Sequence, residues 1–261
     1  MAQTILSRLP QWLAHFDTLE STNNYAMHLI DDGMAQHGQG IWADFQSKGK
    51  GQRGNTWLDH AGNLKFSLIV TPAKHLQTPF QLSMLVAATL ARYLKIILPE
   101  ACQIAVKWPN DIYINDKKAC GLLIENVFRG AQWSFAVIGI GLNVNQTDFP
   151  EELQHKATSL SFASGGRLFD LLEIITDLRH GILNRFLSPD SLSAAQLLED
   201  YNRLLYRKDA LVMFRERQSG RTFEAVVEGV QEDGRLLLRL SEGLQLFGYG
   251  SLEWLLHQDL G

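Results

Sequence analysis

Four apolar segments, IAVKW, DIYIN, ACGLLIEN and WSFAVIGIGLNV, follow one another between residues 104 and 145 with only short connections between them. Strands joined so tightly must turn back on each other, because a parallel pair needs a crossover of about a dozen residues or more. The centre of the chain is therefore expected to form hairpins within an antiparallel or mixed sheet. GIWADF and NLKFSLIV supply two further strands upstream. Helices are expected around them. STNNYAMHLIDDGMAQH opens on a Ser21 or Thr22 cap and sets Tyr25, Leu29 and Ile30 on one face. TPFQLSMLVAATLARYLKIIL opens on Thr-Pro and carries Leu82, Leu85, Val86, Leu90 and Leu94 at helical spacing. FDLLEIITDLRHGILNRF and SAAQLLEDYNRLL follow. After Tyr206 the texture changes to short strands at close intervals, ALVMFRE, TFEAVVEGV, RLLLRL and LQLFGYG, with Asp233-Gly234 as a hairpin turn. The expected division is 1–207 as a larger α+β domain and 208–261 as a small C-terminal β-barrel.

Composition narrows the class. The chain has 261 residues, 46% hydrophobic and 20% charged, which excludes a disordered tail protein. Lys plus Arg is 24 and Asp plus Glu 28, giving a net charge of −4, which argues against a surface that coats DNA or membranes. Cys102 and Cys120 are too few for a disulfide framework or a four-thiolate zinc site, and read as reduced thiols of a cytosolic protein. The eight histidines show no metal-ligand spacing, so no dedicated metal site is expected. MAQTILSRLPQWLAHF lacks the apolar core and cleavage site of a signal peptide. The stretch LVAATLARYLKIIL is interrupted by Arg92 and Lys95 and reads as too short to span a bilayer. A soluble, cytoplasmic protein is expected.

Gly49, Gly51 and Gly54 in QSKGKGQRGNTW spell G-x-G-x-x-G, but a dinucleotide fingerprint requires a helix to open at the third glycine. Here a turn and a strand-like run follow, and Asn55 stands where a Walker A lysine would be. The residues themselves describe a loop in which Lys48, Lys50 and Arg53 alternate with glycines, suited to covering an anion. Trp57 offers a face for a nucleobase, or a core side chain at a strand start.

Three polar groups stand out elsewhere. In KWPNDIYINDKKACGLLIE, Lys107 ends a strand, Pro109-Asn110-Asp111 turns, and Lys117 and Lys118 fall in the next turn, one solvated and the other leading into Ala119-Cys120-Gly121. Asp111 offers a carboxylate for Mg2+ or a ribose hydroxyl, and a lysine there could polarise a carboxylate or phosphate. Ser21-Thr22-Asn23 gathers donors and acceptors at a helix start, more than capping alone uses, and suits a urea or amide. GIGLNVN sets Asn143 and Asn145 at a strand end, and Asn143 is the one read as functional.

STNNYA, QSKGKGQRGNTW, KWPNDIYINDKKACGLLIE and GIGLNVN occur in the order and spacing of biotin protein ligases, and the chain resembles that family from about Phe16 onward. The resemblance implies a mixed, mainly antiparallel sheet flanked by helices, like the catalytic domain of class II synthetases, with the terminal barrel attached. It implies that ATP, with Mg2+, activates biotin as biotinyl-5'-AMP and that biotin passes to a lysine of a biotin carboxyl carrier protein domain of acetyl-CoA carboxylase or a related carboxylase. Ser21, Thr22, Asn23 and Gln46 would bind the ureido ring. Lys50, Gly51 and Gln52 would fold over the adenylate, with Gly121 beneath the ligand. Arg53, Trp57, Asn110 and Asn143 would serve the nucleotide, while Lys118 and Asp111 would carry the chemistry. The family loop usually reads G-R-G-R-x-G-R; here Lys50, Gln52 and Asn55 replace its arginines, and lysine lacks the planar fork for phosphate. Only 20 residues precede Ser21, too few for the DNA-binding helix-turn-helix that some members carry, so a ligase without repressor activity is expected. Neither DNA nor membrane is expected as a partner, and a homodimer is admissible. On the residues alone, two alternatives stay open: a lipoate or octanoate ligase, and a non-catalytic sensor of biotin or nucleotide.

Overall fold

The computed structural model describes residues 9–52, 57, 60–187 and 193–256. The chain divides into two compact units: Met1–His75, Ala119–Phe149 and Thr158–Pro189 form the first, and Leu76–Lys118, Pro150–Ala157 and Asp190–Gly261 the second.

In the first unit, β1 (Leu13–Leu19), β2 (Gly40–Gln46), β3 (Leu64–Val70), β7 (Gln132–Leu142) and β6 (Lys117–Arg129, from Ala119 on) lie side by side in the order β1-β2-β3-β7-β6. Among these five strands β1 and β2 pair in parallel and the other neighbours antiparallel, so the sheet is mixed and mainly antiparallel. Strand β1 has no counterpart in the sequence reading, because LAHFDTL alternates too weakly to declare itself. Helix α1 (Thr22–Asp31) is capped by Ser21, whose Oγ accepts from Asn24 N at 3.4 Å. Ala26 and Ile30 of α1 pack on Ile41, Ile69 and Val137, with Tyr25 and Leu29 at the margin of that cluster. Helices α3 (Leu160–Ala163) and α4 (Leu171–Leu187) complete the unit.

The second unit holds α2 (Pro79–Ile97), the hairpin of β4 (Ile104–Lys107) and β5 (Asp111–Ile114), α5 (Ala194–Arg203), and a five-stranded antiparallel sheet. That sheet contains β8 (Leu211–Glu216), β9 (Thr222–Val230), β10 (Leu236–Leu240), β11 (Gly243–Phe247) and β12 (Leu252–Leu255), in the order β11-β10-β9-β8-β12. The β9–β10 turn is Asp233-Gly234 as expected, with Gly234 at φ 87°. Helix α2 begins with a Thr78–Gln81 capping box and Pro79 in its first turn. Its 19 residues extend beyond the apolar stretch recognised in the sequence, and by length and composition alone it could cross a membrane. However, 61% of its most apolar window is buried, and Arg92 pairs with Asp200 of α5 at 2.6 Å, which is the pattern of a core helix.

Candidate functional site

In the first unit, one face of the sheet changes character along its strands. Antiparallel register sets Ile69 opposite Val137, Ser67 opposite Gly139, and Lys65 opposite Gly141. Residues two apart share a face, so the floor passes from branched apolar side chains to a hydroxyl with glycine, and then to an ammonium with glycine. Helix α1 follows the same gradient, with Ile30 and Ala26 over the apolar end and Asn23 over the polar one. Gly121 of β6 pairs with Gly141 and extends the bare floor.

Ser21, Thr22 and Asn23 are all buried. Thr22 N and Oγ1 donate to Gln46 Oε1 at 2.7 and 3.1 Å. Asn23 Nδ2 donates to Glu125 Oε2 at 2.7 Å and Leu123 O at 3.2 Å, which fixes the amide with Oδ1 facing Ser67. Ser67 Oγ lies 2.7 Å from Thr22 Oγ1 and 2.6 Å from Asn23 Oδ1. Because Thr22 already gives its proton to Gln46, the single Ser67 proton faces two acceptors. The row therefore has more acceptors than donors, and a ligand N–H fits the surplus. Gly139 must be glycine here, since a Cβ would collide with the Asn23 amide.

The loop residues fall as follows. Gln52 Nε2 donates to Leu122 O at 3.3 Å, Lys50 is exposed, and Gly51 is half-buried. Lys48 pairs on the surface with Glu20 at 2.8 Å, and this ammonium holds the Glu20 carboxyl below its ordinary range. Arg53 lies outside the described residues. Trp57 N donates to Gly49 O at 3.1 Å, and its indole covers Gly141, where a Cβ would come within 2.7 Å of Cε2.

Asn143 is built into a buried frame. Its Oδ1 accepts from Asn63 Nδ2 at 3.2 Å and its Nδ2 donates to Thr158 O at 3.0 Å. Asn63 also donates to Gln146 Oε1 at 2.7 Å and accepts from Val144 N at 3.0 Å. Asn145 is engaged twice by the Phe169 backbone, at 2.9 Å each.

In the second unit, Lys118 Nζ and Asp111 Oδ1 form an ion pair at 2.7 Å. Both lysines of N-D-K-K lie on β6 rather than in the turn where the sequence reading set them. Asn115 and Asp116 take positive φ (48° and 66°), and these residue types tolerate it, so a two-residue turn suffices. Lys117 Nζ is held by Gln154 O at 2.7 Å. The Trp108-Pro109 bond is cis, and the turn it shapes is gripped on two sides within this unit. Trp108 Nε1 donates to Gly234 O at 2.9 Å, and the buried Tyr201 hydroxyl donates to Pro109 O at 3.0 Å. Burial, and then the nearby Asp111 charge, push the Tyr201 phenol upward, which keeps it protonated as the donor. Asn110 lies on the same turn, half-buried. A cleft of about 290 Å3 adjoins the turn, lined by Lys107, Trp108, Asp111, Lys156, Arg217 and Trp254. Among the described residues, no three His, Cys, Asp or Glu side chains gather closely enough to hold a metal ion.

The sequence reading missed Lys65, Ser67, Glu125, Gly139 and Gly141. The two glycines carried a usable signal, since their period of two within an apolar strand strips one face bare. Glu125 and Ser67 carried none, because their partners on α1 come from far along the chain.

Residues 15–143 match the Biotin/lipoate A/B protein ligase family. The chain is 34% identical over 248 residues to the bifunctional ligase/repressor BirA of Bacillus spizizenii, covering 90% of this chain and 71% of that protein. It is 34% identical over 104 residues to the biotin–[acetyl-CoA-carboxylase] ligase of Paracoccus denitrificans, 40% of this chain and 43% of the relative. The biotin protein ligase of Aquifex aeolicus, solved in complex with biotin and ATP, superposes with a TM-score of 0.75 at 25% identity, covering 93% of this chain and 97% of that one.

Proposed function

Since the chain belongs to the Biotin/lipoate A/B protein ligase family, as one of its biotin protein ligases, we propose that it joins biotin to AMP from ATP and then to a lysine of a biotin carboxyl carrier protein domain. The observation that carries this reading is the buried neutral row of Ser21, Thr22 and Asn23 over Ser67 and Gly139, with its surplus of acceptors. Biotin's ureido ring brings two N–H donors and one carbonyl, which complement an acceptor-rich row that also has hydroxyls. A lipoyl or octanoyl chain has no N–H for the surplus acceptor of this row, and a buried acceptor left without a donor costs about 1–3 kcal/mol.

Biotin's carboxylate is unreactive toward amines because an oxide is a poor leaving group. In the first step a carboxylate oxygen attacks the α-phosphorus of ATP, the bond to pyrophosphate breaks, and a mixed acyl-phosphate anhydride forms. In the second step the carrier lysine's amine attacks the acyl carbon and AMP departs. The first step brings two anions together. Lys118 supplies the positive charge that offsets the carboxylate and α-phosphate, and Asp111 holds its ammonium in place at 2.7 Å. The Mg2+ of Mg-ATP would be held by the phosphates with Asp111 as the available carboxylate, and would offset further phosphate charge. In the second step the free lysine, with a pKa near 10.4, must lose a proton, and Asp111 is assigned as the group that helps to orient or deprotonate it.

Lys50, Gly51 and Gln52 are assigned to cover the adenylate, with Gly121 beneath it. Trp57 and Asn110 are assigned to the nucleotide together with Arg53, and Asn143 serves that side through the frame it holds. The small C-terminal domain is taken as 208–261, which contains all five strands of the second sheet. The reading sets the enzyme in the cytoplasm, acting on protein rather than on DNA or membrane. Its test is incubation of the protein with biotin, Mg-ATP and a purified carrier domain, followed by avidin blotting. The carrier is expected to be labelled on one lysine, in a biotin- and ATP-dependent way. No label with folded protein and folded carrier would refute the reading.

A further inference from the structure

Among the described residues Lys65 is a fully buried charged side chain, only 1% exposed, and this mechanism does not use it. It stands on the floor strand β3, one step beyond Ser67 on the same face and directly opposite Gly141, which Trp57 covers. Its Nζ donates to the backbone carbonyls of Asp44 and of His60, the latter at 3.3 Å. Asp44 lies on β2 just before the chain leaves the sheet, and His60 lies just before it returns into β3. Gln46, Lys50, Gln52 and Trp57 all come from the segment between those two carbonyls.

An ammonium has three donors and no acceptor, so one buried lysine can tie two carbonyls from separate pieces of backbone. We propose that Lys65 is a positioning residue for biotin activation: it clasps both ends of the segment that brings Gln46 to Thr22 and Trp57 to Gly141. This assignment rests on the ligase reading. Within it, Lys65 sets the shape of the biotin pocket rather than the chemistry at the acyl carbon. A methionine has nearly the same length and fills the space, but removes the ammonium from both carbonyls and so unties the two ends, with His60 O keeping its bond from Asn63 N at 3.2 Å. An arginine retains the charge and several donors.

The test is biotin-dependent exchange of pyrophosphate into ATP, measured on the full chain with wild type, Lys65→Met, Lys65→Gln and Lys65→Arg. Wild-type exchange establishes the ligase reading independently of Lys65, and its absence would refute that reading. Given it, loss of charge-assisted hydrogen bonds predicts that Lys65→Met raises the KM for biotin about tenfold or more, with kcat within about twofold. Lys65→Gln, an uncharged donor, takes its place if the methionine variant does not fold. Lys65→Arg is expected to recover at least half of the lost affinity on a logarithmic scale. The proposal is overturned if a folded neutral variant keeps the wild-type KM. It is equally overturned if kcat falls while KM is unchanged, or if arginine performs no better than the neutral variants.

Discussion

The row at Ser21, Thr22 and Asn23 is neutral and buried, each residue being 3–4% exposed. The Lys118–Asp111 pair is charged and open to solvent, at 36% and 22%. Each composition suits a different task. Recognition of an uncharged ring depends on hydrogen bonds whose loss leaves buried groups unpaired, and this discriminates strongly between substrates. Offsetting charge that develops during a reaction needs an ion that is in place beforehand but still able to exchange partners with an incoming phosphate. A neutral, dry row would do little for the reacting phosphate, and an exposed ion pair would discriminate poorly among acyl groups.

The contrast predicts separable effects. Replacing Lys118 with Ala should slow biotinyl-adenylate formation by about a hundredfold or more while leaving biotin affinity within several-fold, as read by quenched-flow and calorimetry. Near-normal turnover would remove Lys118 from the chemistry. Asn23→Ala breaks the contacts to Ser67, Leu123 and Glu125, and should weaken biotin binding by about 10–100-fold, with a smaller change in the chemical step. Gly141→Ala places a methyl within 2.7 Å of Trp57 Cε2, so the indole must leave the floor. We expect biotin binding to weaken by about fivefold to tenfold, with a shift in tryptophan emission.

Two smaller effects concern each unit's frame. Tyr201→Phe removes the donor to Pro109 O and should lower unfolding stability by about 1–2 kcal/mol in denaturant titration. His37 accepts from Thr71 N at 3.0 Å, and desolvation together with the Arg179 charge lowers its pKa from the ordinary 6.5. The unfolded chain then binds a proton more readily than the folded one, so His37 contributes stability above about pH 6.5 that is lost as pH falls through and below that value. His37→Asn should flatten the pH dependence of the unfolding midpoint between about pH 7.5 and pH 5.5.

Much of this was legible in the sequence, and the gaps have physical causes. Elements with a strong period, such as α2 and the β6–β7 hairpin, read clearly because one local pattern decides them. The KWPND turn, the Ser-Thr-Asn row and the lysine before Ala119 were legible as motifs. Strand β12, LEWL, had no counterpart in the sequence reading. The roles of Ser67, Glu125 and Lys65 depend on partners between 5 and 102 positions away, which no local pattern reports. Asn143 was legible as a polar residue at a strand end, but the frame that holds both ends of its amide was not, because Asn63 and Thr158 lie 80 and 15 positions away.

The central claim is that this pocket selects a ureido ring and that the chain activates it. It is tested most directly by pyrophosphate–ATP exchange with the wild-type protein, in parallel with biotin and with lipoate. The account predicts exchange that depends on biotin and stays at background with lipoate; equal exchange with lipoate, or none with biotin in a folded preparation, would contradict it.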